Sequence, residues 1–259
     1  MSKQSTDRRV LIVVPAWNEE DSVGDTVREI RAAMPTVDVL VVDDGSPDRT
    51  ALVARRAGAM VLELSYNLGV GGAMRAGFRY AVRHGYDVVV QVDADGQHDP
   101  SEVPLLLSKL DEADLVIGSR FTNPKPDYKV TGPRKWAMVV LSWVFTRLAK
   151  TKLTDVTSGF KATGAKCLPL FAENYPVEYL GDTIESLVIA VRGDCRITEV
   201  PANMRARRAG TPSHNPLKST VYLGRAGFAL LLALVRRWDV SVKAGLPAAE
   251  LLAERSEAR

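Results

Sequence analysis

The stretch VDADGQHDP, residues 92–100, puts Asp93, Asp95 and Asp99 within seven positions, directly after the apolar run Val88-Val89-Val90. Like charges this close repel, and they cost stability unless a cation or a hydrogen-bond network holds them. A strand that runs into a turn can bring Asp93 and Asp95 round one ion. Hard carboxylate oxygens of this kind suit Mg²⁺ or Mn²⁺ shared with ligand phosphates. The plainer alternative is a pair of strand-end aspartates capping the next helix. Asp99-Pro100 has that form, with Asp at the N-cap and Pro in the first turn. The spacing therefore predicts a metal at Asp93 and Asp95 and a cap at Asp99.

Two further segments could meet a ligand. Asp43-Asp44-Gly45-Ser46 ends another apolar run. It reads as a turn and helix cap, and also as carboxylates that can receive ribose hydroxyls and base N–H groups. Asn67-Leu-Gly69-Val-Gly71-Gly72 lets backbone approach a ligand closely before a helix. Its spacing matches neither the phosphate loop nor the dinucleotide fingerprint.

The elements that must position these residues alternate through the first 120 positions. Apolar, β-branched runs at 10–14, 38–42, 60–64, 86–92 and 115–117 read as strands, with helical patterns near 20–34, 48–58, 71–84 and 101–111. Strands that are apolar throughout, with helices between them, predict a mostly parallel sheet covered on both faces. Ligands then sit beyond the carboxyl ends of the strands. The segments PAWNEE, DDGSPDRT, SYNLGVGG, DADGQHDP and GSRF all fall there. Beyond residue 120 come a Pro/Lys-rich loop, an apolar helix over 134–150, and a helical stretch opened by DVTSGFK (155–161). A helix near 182–192, a strand at 197–200, a basic loop, an apolar helix over 218–238 and an Ala/Glu-rich tail follow. The expected division is a disordered tail at 1–9 and one α/β domain over 10–215. Within it, 10–120 would hold the nucleotide-sugar and 121–215 the acceptor. Residues 216–259 would form a peripheral helix and tail.

Composition bounds the function. The chain has 259 residues, 46% apolar and 25% charged, with a net charge of +3. That is ordinary for a globular protein and too weakly basic to argue for nucleic acid. Cys167 and Cys195 have neither metal-ligand spacing nor a disulfide framework, so unpaired thiols in a reducing compartment are expected. The polar start MSKQSTDRR lacks the apolar core of a signal peptide, and no apolar run approaches the roughly 20 residues of a membrane span.

Taken in order, P-A-W-N-E-E, V-V-D-D-G-S, N-L-G-V-G-G, D-A-D-G-Q-H-D-P, G-S-R-F, D-V-T-S-G-F-K and V-P followed by R-R-A-G run from residue 10 to about 213. This ordered set resembles the inverting family-2 glycosyltransferases of the GT-A fold, nearest to the polyprenyl-phosphate sugar synthases. The resemblance implies that Pro15, Ala16, Asn18, Glu19, Asn67 and Gly71 line the donor pocket, with Asp44 near the base or ribose. Asp93, Asp95 and Gln97 would hold Mg²⁺ or Mn²⁺ on the donor pyrophosphate of a GDP- or UDP-linked sugar. Arg120, Arg134 and Arg207 or Arg208 would handle donor and acceptor phosphates. The chain departs from the family where Arg207-Arg-Ala-Gly210-Thr-Pro-Ser213-His214 shifts the usual serine by one position and lacks its lysine.

A hydroxyl acceptor needs a general base. Hydroxyl-using relatives carry an acid where this chain has Thr183, within Gly181-Asp182-Thr183-Ile184-Glu185. A phosphate monoester is already anionic and needs no base, which favours polyprenyl phosphate as acceptor. Asp182 or Glu185 could still serve a hydroxyl. Residues 200–238 carry seven Lys/Arg and no acid, and residues 120–152 carry eight against Asp127 alone. Both stretches adjoin apolar helices edged with Arg and Trp, a pattern suited to a membrane interface. The same helices would also suit a core, a homodimer interface or a membrane-protein partner. The expected enzyme acts peripherally at the cytoplasmic face of the cell membrane. The rivals are transfer to a hydroxyl and a non-catalytic nucleotide-sugar-binding subunit.

Overall fold

The structure, a computed structural model, describes residues 8–121, 133–177 and 182–205. Its strands are β1 (Val10–Ala16), β2 (Asp38–Asp43), β3 (Met60–Glu63), β4 (Val88–Gln91), β5 (Leu115–Ser119), β6 (Lys161–Thr163) and β7 (Ile197–Pro201). They form one sheet in the order β3-β2-β1-β4-β6-β5-β7. All neighbours run parallel except β6, which lies antiparallel between β4 and β5. The helices are α1 (Val23–Ala33), α2 (Thr50–Arg56), α3 (Gly69–Arg83), α4 (Val103–Ser108), α5 (Pro133–Ala149), α6 (Cys167–Asn174) and α7 (Asp182–Arg192).

The apolar strands are apolar because both faces are covered. In β1, Leu11 and Val13 join a core that includes residues of α3, α6 and α7. Ile12 and Val14 join a second core with residues of α1, α2 and α4. Side-chain alternation along a strand sends neighbours to opposite faces, so each must be apolar. With every crossover helix held this way, the five strand ends collect on one rim.

Three expectations are corrected. DVTSGFK does not open a helix but leads into β6, a strand of three residues. Three residues are too few to show a period, and what makes them a strand is the gap between β4 and β5 that they fill. The helix expected at 101–111 is broken into two single turns flanking α4. The thiols are not separate: Cys167 at the start of α6 and Cys195 after α7 lie with Cα atoms 6.3 Å apart and are joined as a disulfide. Sequence spacing carries no information on this pairing, which the packing of α6 on α7 creates. Of the stretch expected as a tail, Arg8 and Arg9 are described and the Arg9 backbone N–H donates to Asp87 at 2.9 Å; residues 1–7 lie outside the described residues.

Among the described residues, no helix is long and apolar enough to cross a membrane. Helix α5 buries Met138, Leu141 and Phe145, yet leaves Val139, Val140 and Trp143 more than half exposed at 53%, 56% and 59%. The expected helix over 218–238 lies outside the described residues.

Candidate active site

At the carboxyl rim of the sheet lies an open pocket lined by Pro15, Ala16, Trp17, Glu19, Asp44, Asn67, Gly69, Val70, Ala73, Asp93, Ala94 and Asp95. Three strand ends and the N-terminus of α3 meet there. The backbone that builds it is locked locally. Asn18 adopts a left-handed conformation at φ 55°, and its N–H donates to Ser46 Oγ at 3.0 Å. The Glu19 N–H donates to Thr50 Oγ1 at 2.9 Å, which ties the end of β1 to α2.

Asp44 shapes the opposite wall. Its two carboxylate oxygens accept the N–H groups of Leu68 and Gly69 at 2.8 and 2.7 Å, fixing the start of α3 against β2. Burial raises its carboxyl above the ordinary value, opposed by those same two N–H groups. Gly69 holds φ +82°, a conformation that a side chain would strain. A helix N-terminus opening on a pocket offers N–H groups and positive potential to an anion.

Asp93 and Asp95 reach the same pocket from the end of β4. Gln91 Nε2 donates to Asp93 Oδ1 at 3.2 Å, and the Gln97 N–H donates to Asp95 Oδ1 at 2.9 Å. Buried His98 accepts the Asp93 N–H through Nδ1 at 3.0 Å and stacks on Phe160. Among the described residues no cluster of three His, Cys, Asp or Glu side chains forms a closed metal cage. Two carboxylates on an open pocket nevertheless fit a hard divalent ion, whose remaining positions ligand phosphates and water complete. Gln97 does not line the pocket; its N–H serves Asp95, and its carbonyl accepts the Arg205 N–H at 2.9 Å. Asp99 is the expected cap, accepting the Ser101 N–H at 3.0 Å.

Of the other expected residues, Pro15, Ala16, Glu19, Asp44 and Asn67 line the pocket, whereas Asn18 and Gly71 do not. Gly71 is buried inside α3, and Gly69 takes the place expected of it at the helix start. Trp17, Val70 and Ala73 are pocket residues that the site reading omitted. Trp17 stood inside the quoted PAWNEE segment, whereas Val70 and Ala73 carry no polar signal.

The side expected to meet the acceptor is built differently. Arg120, expected on a phosphate, donates from Nε and Nη2 to the two oxygens of Asp155 at 2.6 and 2.7 Å, and from Nη2 to Thr157 at 2.8 Å. One edge of its guanidinium is thus committed to protein. Glu199 of β7 accepts the N–H groups of Thr154 and Asp155, each at 2.8 Å. Burial pushes the Glu199 carboxyl up, and these backbone bonds pull it down. Arg205 bridges Glu29 and Asp99 at 2.8 and 2.7 Å, bolting the start of the basic loop to the Asp93–Asp99 turn. Arg134 lies in the first turn of α5, and its side chain lies outside the described residues, as do Arg207 and Arg208. Thr183, where hydroxyl-using relatives are expected to carry an acid, buries a hydroxyl with no hydrogen-bond partner among the described residues.

Comparison with known proteins agrees with this geometry. The family described as Glycosyl transferase family 2 matches residues 11–165. The undecaprenyl-phosphate mannosyltransferase of Micrococcus luteus is 37% identical over 213 residues, 78% of this chain and 86% of that protein. The polyprenol monophosphomannose synthase of Mycolicibacterium smegmatis is 36% identical over 166 residues, 60% of this chain and 61% of that protein. Glucosyl-3-phosphoglycerate synthase from Mycobacterium tuberculosis, solved with Mn²⁺, UDP-glucose and phosphoglyceric acid, superposes with a TM-score of 0.68. It is 22% identical, with 91% of this chain and 82% of that chain covered. At that identity the likeness speaks for the fold alone.

Proposed function

Because the chain belongs to glycosyl transferase family 2 and has the GT-A fold, we propose that it moves a sugar, with inversion, from a nucleotide-sugar to polyprenyl phosphate. The observation that carries this reading is the convergence of Asp93, Asp95, Asp44 and the start of α3 on one pocket. The α3 N-terminus and Asn67 receive the donor, and Asp44 meets its ribose or base. Asp93 and Asp95 hold Mg²⁺ or Mn²⁺, which when bound supplies charge neutralisation for the departing nucleoside diphosphate. Both named polyprenyl-phosphate relatives support a lipid phosphate as acceptor. So does the buried, unpartnered hydroxyl of Thr183, which leaves no base at that position. A phosphate oxygen attacks the anomeric carbon in line, and arginine offsets its repulsion from the donor.

Work at a membrane surface fits the outer face of α5, where Val139, Val140 and Trp143 are exposed and Arg147 lies 5.1 Å from the Trp143 ring centroid. An apolar helix face edged by arginine suits the headgroup boundary of an anionic leaflet. The cytoplasmic side is the reading adopted.

The test is a panel of GDP- and UDP-linked sugars offered with a short polyprenyl phosphate and with sugar or glycan hydroxyl acceptors. A lipid-linked sugar formed only when divalent metal is present is the expected product. Turnover with hydroxyl acceptors alone overturns the acceptor, and binding without turnover promotes the non-catalytic subunit.

A further inference from the structure

The motif DVTSGFK has a place in the family pattern but no task in the reading above. Its first residue, Asp155, is 0% exposed, while the arginine it grips keeps 13% of its side chain open to solvent at the end of β5. A buried carboxylate is tolerable only when paired and hydrogen-bonded. Asp155 meets that condition entirely through Arg120 and Thr157: it receives the Arg120 backbone N–H at 3.1 Å as well as the guanidinium Nε and Nη2 and the Thr157 hydroxyl. The turn carrying Asp155 is held from behind by Glu199, through the N–H groups of Thr154 and Asp155. Four residues on, Gly159 lies so near the metal side that a Cβ there would stand 3.4 Å from Asp93 Oδ2. The segment 155–159 therefore grips Arg120 at one end and passes beside Asp93 at the other.

We propose that Asp155 is the positioning residue of the acceptor side, holding the Arg120 guanidinium in one orientation on the wall that continues from Asp93. This assignment rests on the reading of Arg120 as a phosphate-handling residue. A free arginine side chain loses rotamer entropy when it is immobilised. A bidentate carboxylate removes that freedom before the acceptor arrives, so the arginine is already oriented in the encounter.

The experiment is a double-mutant cycle of Arg120→Lys and Asp155→Asn, assayed with GDP-mannose and UDP-glucose in parallel and a short polyprenyl phosphate. Binding of GDP and UDP with Mn²⁺ is measured on every variant, to report an intact donor pocket. Asp155→Asn is expected to lower kcat/KM for the acceptor about 10- to 100-fold and to leave nucleotide affinity within twofold. The double variant is expected to be no worse than the weaker single, because both changes remove one oriented group. Should Asp155→Asn lose nucleotide binding, Thr157→Val replaces it. That change deletes only the hydroxyl flanking the pair and is expected to cost about threefold on the acceptor side alone. If Arg120→Lys and Arg120→Ala both behave as wild type, the phosphate-handling reading falls and the positioning role with it. If Arg120→Lys is impaired while the Asp155 and Thr157 variants keep full acceptor kcat/KM, or the two singles multiply in the double, positioning alone is overturned.

Discussion

The two walls of the site are made in different ways. The wall proposed for the donor is assembled from element ends: Pro15 and Ala16 at the end of β1 with Trp17 and Glu19 after it, Asp44 after β2, Asp93 and Asp95 after β4, and Asn67 and Gly69 at the start of α3. Each segment supplies its groups locally, and the parallel sheet brings the segments together. The wall proposed for the acceptor instead depends on side-chain clamps between positions far apart in the chain. Arg120 meets Asp155 across 35 residues, Glu199 meets Thr154 across 45, and Arg205 meets Glu29 across 176. A wall of strand ends is robust and leaves motifs in the sequence. A wall of clamps is tuned by single side chains, and its motifs, G-S-R-F and D-V-T-S-G-F-K, do not show in sequence which residue grips which.

This contrast predicts where substitutions act. Asp95→Ala strikes the donor wall at its charged centre and should reduce transfer by several kcal/mol, roughly 10³-fold. Circular dichroism should stay unchanged, since the side chain lines the pocket rather than the core. Full turnover by EDTA-stripped wild type would show that the donor wall works without a metal.

Next in size is Arg120→Ala, expected to cost about 10²-fold in kcat/KM for polyprenyl phosphate, with donor KM nearly constant. Glu185→Gln and Asp182→Asn should each retain appreciable activity, because a phosphate nucleophile needs no base. A collapse of either carboxamide variant, with Arg120→Ala near wild type, would reverse the ranking in favour of a hydroxyl acceptor.

Gly159→Ala tests the seam between the walls. Its Cβ would stand 3.0 Å from Gln91 Nε2, which must give by a few tenths of an ångström, and in ordinary contact at 3.4 Å with Asp93 Oδ2, to which Gln91 donates. The expected outcome is a 3- to 10-fold rise in the Mn²⁺ concentration needed for half-maximal rate, with a smaller change in saturated kcat. An unchanged metal titration would mean that the turn 155–159 and Asp93 are independent.

The smallest effect concerns Glu199. Its carboxyl titrates above its unfolded value, so its contribution to stability is fully present below the ordinary carboxylate range. That contribution is lost as pH rises through the raised pKa. Glu199→Gln keeps an acceptor for the two N–H groups and removes the charge. Its Tm should therefore gain on wild type as pH rises from acid to neutral, by about 2 °C or less. A parallel pair of Tm curves would show that the buried carboxylate contributes nothing to the pH dependence.

What could be read from residues follows the same division. The sheet was legible because a strand covered on both faces must be apolar throughout, and Val10 to Val14 and Val88 to Val90 are so. Asp93 and Asp95 were legible because charge at the end of such a strand is costly without a ligand. Gly69 rather than Gly71 lines the pocket, and glycines two apart look alike in sequence until the Asp44 bonds select the helix start. The strand β6 and the Cys167–Cys195 pairing left no pattern: one is three residues long, and the other depends on how α6 meets α7.

By itself, then, the sequence determined the α/β architecture, the rim of strand ends, and the carboxylates Asp44, Asp93 and Asp95 that gather on one pocket there. Local physics dictates each of them: apolar periodicity, turn chemistry and the cost of unpaired charge. Only the tertiary structure decided which partner Arg120 keeps, how Glu199 and Arg205 brace the two loops, and that α5 turns Val139, Val140 and Trp143 outward. Those outcomes depend on distances between residues remote in the chain, and sequence spacing does not encode distances of that kind.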